Sequence, residues 1–101
     1  MKKGLTRQEL EKITKILKGF SDIEQAVMFG SRAKGNHKKG SDIDLALKGE
    51  AISAATIKRL SSILNEEVPL PYFFDVVHYE SISHAELVQH IDRFGKIVYK
   101  R

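Results

Sequence analysis

Cysteine is absent from the 101-residue chain, so the chain can form neither disulfide bonds nor metal sites built on thiolates. Uninterrupted apolar runs of the roughly 18 residues needed to span a membrane are absent as well. The first residues lead directly into a polar helical pattern rather than into the apolar region of a signal peptide. From these absences we expect a cytoplasmic protein with no membrane-spanning segment.

The length and the 42% share of hydrophobic residues predict one compact domain, residues 1–101, with a single core. The net charge of +4 would suit a nucleic-acid ligand, but no surface of interleaved aromatic residues for stacking bases is visible. We therefore expect no direct nucleic-acid binding. The histidines lack the spacing of metal ligands, so they are interpreted as solvated or core-edge residues: His37, His78, His84 and His90.

Several segments show helical or strand periodicity. Thr6 and Glu9 have capping-box spacing and begin the first helix, which we expect to end at Gly19. Ser83 and Glu86 have the same spacing and would begin a third helix. The remaining predicted elements are strands at residues 25–29, 42–48 and 73–78, a second helix at about 53–67, and a short edge strand at 97–99.

The order of these elements predicts an α/β (α+β) fold. The short loop between the first two strands favours an antiparallel pair, and the helix between the second and third strands favours a parallel pair. We expect a small mixed three-stranded sheet whose helices cover one face. Ile43, Leu45 and Leu47 would point towards that face, which leaves the opposite face to Asp42 and Asp44.

The acidic residues of the second and third strands have the spacing of a metal site. Asp42 and Asp44 lie on one face of a strand, with Cα atoms about 6.5–7 Å apart. Asp75 interrupts an otherwise apolar strand and would join them if that strand is the neighbour. Three close carboxylates repel one another unless a cation binds, and hard ions such as Mg²⁺ prefer their oxygens. The pattern predicts a site for Mg²⁺, in the two-ion arrangement used in phosphoryl and nucleotidyl transfer.

A phosphate-sized loop precedes these carboxylates. Gly30 and Ser31 follow the first predicted strand, where small residues let backbone N–H groups approach a polyphosphate. Positive charges then gather in the same loop: Arg32, Lys34, Lys38 and Lys39. The loop and the carboxylates together indicate nucleotide chemistry.

Each of these signals also has a structural interpretation. Taken alone, Gly30 and Ser31 are more typical of an ordinary turn, and Asp42 and Asp44 of a solvated strand entrance. Asp75 could be paired with a lysine, because an unpaired carboxylate in an apolar strand is costly to bury. Only the combination, in this order, favours nucleotidyl transfer.

The chain resembles the nucleotidyltransferases of the DNA polymerase β superfamily, in which a Gly-Ser pair is followed by Asp-x-Asp and by a third carboxylate on a later strand. Gly30-Ser31, Asp42-x-Asp44 and Asp75 match this signature in order. The likeness is greatest to the minimal nucleotidyltransferases, the MNT group, and it covers essentially the whole chain. The resemblance implies a polymerase-β-like core that transfers a nucleoside monophosphate from an NTP, ATP being the expected substrate, with Mg²⁺ as cofactor.

The resemblance also implies roles for individual residues. Gly30 and Ser31 would hold phosphate together with Arg32 and Lys34, although Lys34 stands where an arginine is commoner. An arginine can grip phosphate with two parallel hydrogen bonds, which a lysine cannot do. Asp42 and Asp44 would hold both metal ions, and Asp75 would help to activate the acceptor hydroxyl.

Minimal members of this family are typically paired with a helical protein of the HEPN type. The resemblance therefore implies an antitoxin that transfers AMP to a tyrosine of a HEPN partner. The alternative is a non-catalytic binding module that neutralises the same partner by forming a complex with it. The sequence itself identifies neither the nucleotide nor the acceptor.

Overall fold

The computed structural model describes residues 5–30 and 42–101. They form three α-helices and four strands, with a π-helical turn after the second helix and a 3₁₀ turn after the third strand. In chain order these are α1 (Arg7–Lys18), β1 (Gln25–Phe29), β2 (Ile43–Lys48), α2 (Ala54–Ser62), the π turn (Ile63–Glu67), β3 (Phe74–His78), the 3₁₀ turn (Tyr79–Ser81), α3 (Ala85–Phe94) and β4 (Lys96–Lys100). No helix in this part of the chain is long and apolar enough to cross a membrane.

The strands form one mixed sheet in the order β3-β2-β1-β4. β1 and β2 are antiparallel, and β2 and β3 are parallel, as the lengths of the connections predict. The α/β fold class is therefore confirmed, but the sheet has four strands rather than three. β4 is a full strand because β1 has a second edge, where Ala26 pairs with Tyr99 and Gln25 with Lys100.

The helices cover both faces of the sheet, so the expectation that they cover a single face is wrong. α1 and α2 pack on the face of β2 that carries Ile43, Leu45 and Leu47. α3 packs on the opposite face, where its Ile91 lies in a cluster with Val27, Phe29 and Ala46. The physical reason lies in β1, whose continuously apolar sequence buries side chains on both faces and needs cover on each.

The helix caps follow the sequence at α1 but not at α3. Thr6 and Glu9 form the predicted capping box, with reciprocal hydrogen bonds of 3.1 and 3.0 Å. The capping box predicted for α3 at Ser83 is wrong, because His84 is the N-cap and its Nδ1 accepts the N–H of Leu87 at 3.3 Å. The imidazole thus replaces the hydroxyl as the acceptor for an unpaired amide of the first turn.

The π turn after α2 contains an asparagine that is bonded to the edge of the sheet. The Asn65 side chain accepts the backbone N–H of Phe74 at 2.7 Å and donates to the Phe74 carbonyl at 3.0 Å. One carboxamide thereby satisfies both polar backbone groups of the first residue of β3, as a further strand would do. These two bonds fix the position of Phe74, the first residue of β3, which immediately precedes Asp75.

Candidate active site

The predicted carboxylates lie on neighbouring strands. Asp44 in β2 pairs directly with Asp75 in β3, and because the strands are parallel both side chains emerge on the same face. Asp42 precedes β2 by one residue and shares that face by its i, i+2 relation to Asp44. Asp44 is partly buried, whereas Asp42 and Asp75 are exposed. The sheet therefore places the three acidic residues on one face, at one end of the β2–β3 pair.

The electrostatics of Asp44 confirm that the acidic residues affect one another. Burial raises the pKa of the Asp44 carboxyl above its ordinary value of 3.8, and the charges of Asp75 and Asp42 raise it further. His90 acts in the opposite direction and lowers the pKa of Asp44. A cation placed between the carboxylates would relieve this repulsion and favour their ionised forms.

Gly30 lies against the same carboxylate. It follows β1 with a φ of +83°, in the left-handed region that side-chain-bearing residues rarely adopt. A Cβ at this position would overlap Oδ2 of Asp44. Glycine is therefore needed both for the turn and for the close approach of the backbone to Asp44.

The remaining predicted phosphate-binding residues, Ser31, Arg32 and Lys34, lie outside the described residues. Within residues 5–30 and 42–101, no three histidine or acidic side chains gather closely enough to hold a metal ion by themselves. The donors on this face nevertheless fit Mg²⁺, which is usually bound through one or two carboxylates and completed by waters and substrate phosphates. Binding of the ion by Asp42, Asp44 and Asp75 stays a prediction.

His90 is a site residue that the sequence did not reveal. α3 carries its ring to Phe29, the residue before Gly30, in an edge-on contact with ring centroids 6.2 Å apart. The ring also contacts Phe94 at 5.4 Å. Its position three residues after Leu87 and four before Phe94 could have placed it on the packed face of the helix. The sequence does not show which face of the sheet α3 covers, so it could not place His90 beside Phe29.

A groove of about 970 Å³ runs along β3, and its lining includes every residue of that strand. Asp75 lines the groove together with apolar side chains that include Ile57, Val77 and Ile82. Phe73, at the start of the groove, is 58% exposed. One of the three carboxylates therefore faces a space large enough for part of a second molecule.

A mixed sheet with paired carboxylates on two adjacent parallel strands, beside a glycine turn, is the core of a nucleotidyl-transferring fold. The chain belongs to the polymerase β nucleotidyltransferase family, whose model matches residues 11–101. No curated protein sequence matches closely enough to count as a relative.

Solved structures support the likeness to minimal nucleotidyltransferases. The chain is 26% identical to a chain of a toxin–antitoxin complex with AMP-PNP, with a TM-score of 0.76 over 91% of this chain and 73% of the other. A chain of the toxin–antitoxin complex MntA-HepT gives a TM-score of 0.72 at 22% identity, over 95% and 74%. A third match is to a chain of the complex between a tri-AMPylated HEPN toxin of Shewanella oneidensis and an MNT antitoxin, with a TM-score of 0.69 at 23% identity over 91% and 70%.

Proposed function

We propose that this chain transfers a nucleoside monophosphate from an NTP to a hydroxyl group in a Mg²⁺-dependent reaction, with ATP as the donor. The observation that carries the proposal is the pairing of Asp44 with Asp75 on adjacent strands, with the backbone of Gly30 against Asp44. The family supports the reaction class. The neighbour crystallised with AMP-PNP supports an adenine nucleotide.

We propose the following roles for the site residues. Asp42 and Asp44 would hold Mg²⁺, which would supply positive charge for the phosphates. The turn at Gly30, with Ser31, Arg32 and Lys34 after it, holds the phosphate chain. Asp75 orients the acceptor hydroxyl and draws its proton as the oxygen attacks the α-phosphorus. The bond from the α-phosphorus to the pyrophosphate then breaks, and pyrophosphate leaves.

The acceptor we propose is a tyrosine hydroxyl of a HEPN-type partner protein, which makes the chain an antitoxin. Two observations support this choice. Similar chains occur in toxin–antitoxin complexes, and one of those complexes contains an AMPylated HEPN toxin. The groove along β3 is lined by Asp75, so a segment of the partner lying in it would bring its hydroxyl to that carboxylate.

The test is transfer of label from α-labelled Mg·ATP to the co-expressed HEPN partner. The double variant Asp42→Ala, Asp44→Ala should lose the labelled band, whereas Glu50→Gln, which removes an exposed charge from the turn after β2, should keep it. Mass spectrometry of the labelled partner should find AMP on tyrosine. Full labelling by the double variant would refute the proposed reaction.

A non-catalytic binding module is the second candidate. It is favoured by the occurrence of similar chains in protein complexes. In this case the folded double variant would still neutralise the toxin in a growth assay. Loss of neutralisation by a variant that still binds the partner would exclude it.

A further inference from the structure

The ring of His90 lies where the phosphate loop begins. It contacts Phe29, and Phe29 both pairs with Asp44 across the antiparallel ladder and precedes Gly30. Phe94 contacts the same ring from the next turn of α3. The two aromatic side chains restrict the orientation of a half-buried imidazole beside the carboxylates.

The ring nitrogens of His90 have no hydrogen-bond partner among the described residues, although the other two histidines of that part of the chain do. His78 bonds to Ser81 and to the carbonyl of Gly49, and His84 caps α3. A half-buried polar group normally has a partner, because leaving it unpaired costs free energy. The packing contacts of His90 explain its orientation but not the choice of histidine over an apolar residue.

We propose that His90 is a further substrate-binding residue, whose imidazole N–H donates a hydrogen bond to a non-bridging phosphate oxygen of the bound nucleotide. The inference rests on the proposed function, because a phosphate contact presupposes a nucleotide in this site.

A phosphate oxygen is the ligand that fits this position. An acidic cluster by itself repels a polyanion, so a donor beside Asp44 offsets part of that repulsion. An imidazole carries at least one N–H in either tautomer, so the contact does not depend on its protonation.

The experiment measures binding of Mg·AMP-PNP, and of Mg²⁺ with pyrophosphate, by titration calorimetry. His90→Phe keeps a ring against Phe29 but removes the donor, whereas His90→Gln and His90→Asn keep an N–H donor. Gln89→Ala, at an exposed position of the same helix, is the control. Kd for both ligands should rise about tenfold in the Phe variant, the change produced by losing one hydrogen bond of about 1.4 kcal/mol. At least one of the two amide variants should recover most of the loss.

Each other result overturns the inference. Unchanged binding by the Phe variant would leave the proposed function standing without a role for His90. Weaker binding of AMP-PNP but not of pyrophosphate would assign His90 to another part of the nucleotide. If all three His90 variants lose the same affinity for both ligands and also bind Mg²⁺ more weakly in the absence of nucleotide, His90 positions Asp44 and does not contact phosphate. Failure of the wild-type chain to bind Mg·AMP-PNP would refute the proposed function itself.

Discussion

Replacing Asp44 with asparagine should abolish transfer and at the same time stabilise the fold. Asp44 is partly buried and lies directly opposite Asp75, with Asp42 on the same face. Asparagine has nearly the same shape and no charge. Like charges directly opposite one another in a sheet destabilise it by roughly 0.2–1 kcal/mol, so the free energy of unfolding at pH 7 without Mg²⁺ should rise by about this amount.

The stability gained by the Asp44→Asn substitution should depend on pH in a direction that follows from the pKa of Asp44. Burial and the neighbouring acidic residues raise the pKa of Asp44 in the folded chain above its ordinary value of 3.8, although His90 opposes them. The folded chain therefore binds this proton more tightly than the unfolded chain does. Its stability falls as pH rises from 3.8 through the raised pKa, and the asparagine variant does not share that loss. The difference in the free energy of unfolding between the two proteins should therefore appear as pH rises from 3.8 through the raised pKa, and it should remain at higher pH.

Urea unfolding of both proteins in the presence of a chelator, at a series of pH values from 3 to 8, measures this difference. The control is Glu50→Gln, which removes an exposed acidic charge in the turn after β2, beyond the end of the strand opposite to Asp44. A wild-type chain as stable as the asparagine variant at pH 7, or a difference that does not change with pH, would refute the reasoning.

Other consequences of the structure are open to measurement. Asn65→Ala removes both hydrogen bonds to Phe74 and should lower the free energy of unfolding, measured in urea, by roughly 1–3 kcal/mol. The control Ser62→Ala, which removes only a solvent-exposed hydrogen bond to Glu66, should have little effect. Gly30→Ala should lower the free energy of unfolding by about 1–3 kcal/mol because residue 30 has a positive φ. Transfer should also fall, because the added Cβ displaces the Asp44 carboxylate, and unchanged labelling of the partner would contradict this. Chelation of Mg²⁺ should stop the labelling of the partner, and added Mg²⁺ should restore it, whereas a reaction that continues in chelator would exclude the metal role.

Local interactions made several elements predictable from the sequence. The capping box of Thr6 and Glu9, the strand at residues 25–29 and the alternation along β2 depend on residues close together in the chain. The same alternation placed Asp42 and Asp44 on one face. A helical crossover forced β2 and β3 to be parallel, which brought Asp75 beside Asp44.

The position of α3 was not predictable in this way. Its apolar face is visible in the sequence, but nothing local states which side of the sheet that face covers. The expectation of helices on one face followed the alternation of β2 and overlooked β1, whose side chains are buried on both sides. His90 was interpreted as a solvated or core-edge residue for the same reason, because its neighbours come from another element.

The sequence by itself indicated the family, because the Gly-Ser pair and the acidic residues stand in the order and spacing of the nucleotidyltransferase signature. Only the tertiary structure decided that α3 covers the carboxylate face, that His90 meets Phe29 there and that Asn65 is bonded to the edge of β3. These contacts join residues far apart in the chain, and they form only because the apolar surfaces of separate elements are buried together.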